Sequence, residues 1–136
     1  MKKRVSEIIE IITMLVILIL EILPYGVVLN FSHVTEDGSI DLFPKYYSYF
    51  DLMPFGYAHF TPLIIAVLTC LLIVLYVVKL IKKNVLLDYI VIGILIFIVL
   101  LSILPILIGY GITIINVFVI ILIGIVLILN FLPKKV

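Results

Sequence analysis

The chain has 136 residues, 66% of them hydrophobic and only 12% charged, with mean hydropathy +1.50 and a formal net charge of +1. A soluble domain is about half apolar and a quarter charged, so this composition excludes one and leaves lipid as the solvent for much of the surface. The single cysteine, Cys70, excludes an intrachain disulfide, and the sequence holds no His/Cys cluster of zinc-ligand spacing.

Four continuous apolar segments are predicted, at roughly 5–28, 62–81, 86–108 and 112–132. Each is near the ~20 residues that a helix needs to cross ~30 Å of hydrocarbon. They do not alternate with period two, which excludes a transmembrane β-barrel. The expected fold is therefore an all-α integral membrane protein, one domain over residues 1–136, built as a four-transmembrane-helix bundle.

The first segment follows Lys2, Lys3 and Arg4 and is followed by Glu21-Ile22-Leu23-Pro24-Tyr25. No small-residue cleavage site appears there, so it reads as an uncleaved anchor. Glu21 is its most unusual residue. It lies about 24 Å along the helix from Val5, inside the outer leaflet, where a carboxyl needs a partner or a wet cavity. Glu7 and Glu10 share roughly its face and are expected at the cytoplasmic interface.

A long connection follows, roughly 29–61. Its first half is acidic, with Glu36, Asp37 and Asp41 around the turn signal Asp37-Gly38-Ser39. Its second half is aromatic: residues 43–62 carry eight of the sixteen Phe and Tyr and three of the six prolines. Pro44 is expected to open a short interfacial helix that Pro54 closes. Tyr46, Tyr49, Phe50 and Met53 would share one face of it. With Phe55 and Tyr57 they form a candidate packing or partner surface. Pro54-Phe55-Gly56-Tyr57 then turns the chain into the second helix.

The second helix is expected to start at Thr61-Pro62, with Thr61 as cap. The third is expected to be capped by Asn84, with Asp88 near its positive end. Ser102 reads as a backbone partner beside Pro105. Gly109-Tyr110-Gly111 makes helices three and four an antiparallel hairpin. In the fourth, Asn116 shares a face with Thr113, Ile120 and Gly124. Such polar and small residues ordinarily serve helix packing; a pore-lining role is the alternative.

Eight of the nine basic residues fall on one side of a four-span chain, leaving only Lys45 on the other. The positive-inside bias then puts both termini and the second connection in the cytoplasm and the aromatic connection outside, in a plasma membrane. This layout resembles that of tetraspan proteins such as claudins. The chain has no Trp and its cysteine lies within a helix, so the resemblance implies a layout and no function.

Neither a nucleophile–base set, a phosphate loop nor a paired-carboxylate site is present, so no enzyme activity is expected. No cofactor or metal is implied, and the helix-flanking lysines do not make a nucleic-acid surface. The expected function is that of a small accessory or self-associating membrane subunit. Its expected partners are the lipid bilayer and a second copy or another membrane protein. The alternative is a small ion or proton channel or transporter component using Glu21 and Asn116.

Overall fold

The computed structural model describes residues 3–52, 60–82, 84–108 and 111–131. It contains four helices, α1 (Lys3–Ile22), α2 (Thr61–Ile81), α3 (Val85–Ile108) and α4 (Ile114–Phe131), and two strands, β1 (Val27–Val34) and β2 (Ile40–Tyr47). Three of the helices, α2, α3 and α4, are long and apolar enough to cross a membrane. α1 stands apart because it carries Glu7, Glu10 and Glu21.

Each helix packs on two others, α1 on α2 and α4, and α3 on α2 and α4, which closes a ring. Met14 and Ile17 of α1, Leu72 of α2, Leu95 and Ile98 of α3, and Val119 and Ile123 of α4 form its dry centre. Outside the ring the surface is apolar: Ile12 and Ile19, Val67 and Val74, Leu100, Phe118 and Ile121 are all exposed. α1 shows the inversion best. Its three acids point inward and are buried, while Ile8, Ile12, Ile19 and Ile22 point outward.

Helix ends follow local chemistry. Asn84 caps α3 as expected, its Oδ1 accepting the Leu86 N–H at 3.0 Å. Ser102 donates to the Ile98 carbonyl at 2.8 Å, one turn before Pro105. Thr61, by contrast, does not cap α2; the cap position is Phe60, and no side chain bonds there. Thr113 is not part of α4's face. It precedes the helix and caps it, accepting the Asn116 N–H at 3.1 Å. α1 ends at Ile22, six residues earlier than expected, because Pro24 disfavours helical geometry in the residue before it.

The connection between α1 and α2 departs most from expectation. β1 and β2 form an antiparallel hairpin with Val27 opposite Tyr47 and Val34 opposite Ile40. The short interfacial helix from Pro44 is absent from the described residues: 40–47 are strand, and a turn follows in which the Ser48 N–H donates to Asp51 Oδ2 at 2.7 Å. The periodic spacing of Tyr46, Tyr49 and Phe50 favours a helix only in isolation, where so short a helix is marginal. Val27-Val28-Leu29 supplies a β-forming partner at the right distance, and Phe31 stacks on Phe43 at 5.8 Å. Gly38 closes the hairpin at φ +78°, a left-handed conformation that glycine adopts freely.

Pro44 fits this strand for a specific reason. The Thr35 N–H donates to the Ser39 carbonyl, and every second opposed pair from there is hydrogen-bonded. Asn30 opposite Pro44 falls between, so the missing N–H of Pro44 faces away from β1. By the same alternation Val28 turns its backbone away from β2, and there it bridges to Gly111. The two chains approach so closely that a Cβ on Gly111 would lie 2.5 Å from Val28 Cγ1.

Candidate functional site

Polar side chains gather at two levels inside the ring, one toward the hairpin, called the outer level, and one toward the opposite end, called the inner level. The outer level centres on Glu21, in the last turn of α1 and 0% exposed. Thr69 Oγ1 donates to its Oε1 at 2.8 Å. Its Oε2 is buried and has no partner among the described residues. Thr69 lies eight residues into α2, about 12 Å from its start. α1 therefore stops about two turns short of the outer end of α2, and Tyr49 lies over the gap.

Tyr49 is 1% exposed. Its N–H donates to the Glu21 carbonyl at 2.9 Å, satisfying one of the orphan carbonyls at the end of α1. Burial pushes the Tyr49 hydroxyl above the usual tyrosine range, and the Glu21 charge pushes it further. Its ring packs on Gly26 so tightly that a Cβ there would lie 2.6 Å from Tyr49 Cδ1. The Gly26 carbonyl in turn accepts a hydrogen bond from Thr113 Oγ1 at 2.9 Å. One glycine thus holds the Tyr49 ring on one side and the cap of α4 on the other.

Asn116 sits one turn into α4. Its Oδ1 is buried and also has no partner among the described residues. No hydrogen bond joins it to Glu21, so the two expected intramembrane residues are neighbours through Tyr49, Gly26 and Thr113, not a directly bonded pair. Tyr46 and Phe50 are exposed, and Tyr46 meets Tyr25 edge-on at 5.9 Å. Met53, Phe55 and Tyr57 lie outside the described residues.

The inner level draws on all four helices. Lys79 of α2 is buried and pairs with Asp88 of α3 at 2.6 Å. Its Nζ also lies 3.4 Å from Asn130 Oδ1 of α4 and 5.6 Å from the centre of the Tyr76 ring. Asn130 Nδ2 donates to the Tyr76 hydroxyl at 2.7 Å. Glu10 of α1, fully buried, accepts from Ser6 at 2.9 Å; it lies eleven residues before Glu21 as Lys79 lies ten beyond Thr69, which puts it at the same height. The beginnings of α1 and α3 and the ends of α2 and α4 therefore share one end of the molecule.

Sequence reading treats Lys79 as one more helix-flanking cation and does not single out Tyr76 or Asn130. One signal was available: Lys79 precedes two further apolar residues, Leu80 and Ile81, so it lies inside the apolar run. Between the two levels the core is lined by buried apolar side chains, among them Met14, Ile17, Leu72, Leu95 and Ile98. Glu10 and Glu21 are eleven residues apart, about 16 Å along the helix.

No protein-family model, curated protein or solved structure matches the chain.

Proposed function

We propose that the chain is a four-span protein of the plasma membrane, with both termini in the cytoplasm, that works by association and not by catalysis. The inverted polarity of α1 supports its role as the fourth span: its acids face the other helices while Ile8, Ile12, Ile19 and Ile22 face outward. The charge bias of the sequence supports the orientation. In a background in which Cys70 is replaced by Ala, a membrane-impermeant maleimide should label Ser39→Cys in intact cells and leave Lys135→Cys unlabelled until the cells are opened. Equal labelling of both would overturn the orientation.

The observation that carries association is the hairpin. It stands off the helices with Val34, Ile40 and Leu42 on one face, 64%, 67% and 69% exposed. A hairpin of two strands gains little stability alone in water, and apolar side chains displayed this way mark an interaction surface. The partner is a second copy or another membrane protein. Native mass spectrometry in mild detergent, with cross-linking in native membranes, should show a complex that Leu42→Lys dissociates. A strict monomer by both measurements would reject the proposal.

A second reading rests on the unpartnered Oε2 of Glu21: a contact for a cation or proton in a membrane pathway. The side chains that fill the core beneath Glu21 are buried and apolar, which argues against a polar pathway through one chain, so such a pathway needs movement or an oligomer. Proteoliposome flux abolished by Glu21→Gln would support it. Absence of flux at every pH tested would remove it.

A further inference from the structure

We infer that the outer end of the protein holds one acyl chain of a membrane lipid, in a groove between the base of the hairpin and the start of α4. The inference rests on the four-span reading, which puts this end at the outer leaflet.

The groove has a volume of about 480 Å³ and is lined by Tyr25, Val28, Tyr46 and residues 112–115. That is within the range of small-molecule sites, about 300–1,000 Å³. No charged side chain lines it. Its one buried hydroxyl, Thr113, is already used in both directions, donating to Gly26 and accepting from Asn116. What remains to be filled is apolar wall, whose atoms lack contact partners until something of matching shape lies against them. The Tyr25 and Tyr46 rings, both exposed, stand where a headgroup would meet the chain.

One further observation chooses the occupant. Exposed Ile112 and Ile114 join the groove to the apolar outer flank of α4 at Phe118 and Ile121, so a lipid chain reaches it without leaving apolar surface.

The chain contains no Trp, so a single introduced Trp reports its own surroundings. The full chain carrying Tyr46→Trp, and separately Phe118→Trp on the lipid-facing flank, is reconstituted with increasing fractions of phosphatidylcholine brominated on its acyl chains. Half-quenching is expected at a brominated fraction about fourfold lower for Tyr46→Trp, the preference that burial of a single methylene group gives. Adding Ile112→Phe, which fills the groove, should erase that preference. Equal half-quenching fractions at the two positions, or a preference that survives Ile112→Phe, would overturn the site. Quenching at neither position would sink the four-span reading itself.

Discussion

The two polar levels of this protein differ in how their polar groups are joined. At the inner level a lysine, a carboxylate, an amide and a phenol from three helices bond to one another, with Glu10 of the fourth at the same height. At the outer level one carboxyl takes one hydroxyl donor, and its second oxygen has no partner among the described residues. A network bonded across helices locks the elements that build it. A half-satisfied carboxyl in the same dry interior stabilises nothing that a neutral side chain would not, and such groups are retained for other reasons. The inner level is thus the clamp of the ring and the outer level its candidate working site.

Mutations should break this contrast in a definite order. Lys79→Met removes the cation from Asp88 and leaves Asn130 and Tyr76 facing an apolar chain. Breaking a buried pair on one side costs about 3–5 kcal/mol, and partial exposure of Asp88 puts the expected loss near the lower value. Thermal unfolding in detergent reads it; a melting point within a degree of the parent would show that the inner level is no clamp. Tyr49→Ala empties the site over Glu21 and should cost about 3 kcal/mol by cavity formation. Hydrogen exchange at the hairpin base should rise with it, and unchanged exchange would mean that Tyr49 does not anchor the hairpin.

Smaller effects test the outer level itself. Thr69→Val deletes the one donor to Glu21 and should lower stability by about 1 kcal/mol. Glu21→Gln keeps an acceptor for Thr69 and supplies a donor where Oε2 has none, so stability should change by less than about 1 kcal/mol. If Glu21→Gln instead destabilises as much as Lys79→Met, the two levels do the same work and the contrast fails.

Much of the helical layout was legible in the sequence, because lipid imposes long apolar runs and those runs are visible one residue at a time. Asn84 as a cap and Ser102 as a backbone partner were legible for the same local reason. The hairpin was not. Tyr46, Tyr49 and Phe50 fit a helical period, and only pairing with Val27-Val28-Leu29, a non-local event, decides against it. The shape of the candidate site was half legible. Glu21 stood out by its cost in lipid, whereas Thr69 was one more small residue until α1 ended early enough to set Glu21 beside it. Tyr76 and Asn130 escaped notice because an apolar helix with one polar residue near its end looks like a helix meeting water.

Pro44 carries a consequence for how copies of this protein can meet. An exposed hairpin offers two free edges to any passing strand, and growth along such edges ends in indefinite stacking. With Pro44 in the middle of β2 and its ring on the outward side, that edge lacks a donor where a third strand would need one. The other edge, along β1, is already engaged at its base by Gly111. Contact through the faces remains open, and a face-to-face contact closes after a fixed number of copies. A Pro44→Thr chain should therefore be the one that forms polydisperse aggregates at high concentration, readable by size-exclusion chromatography with light scattering.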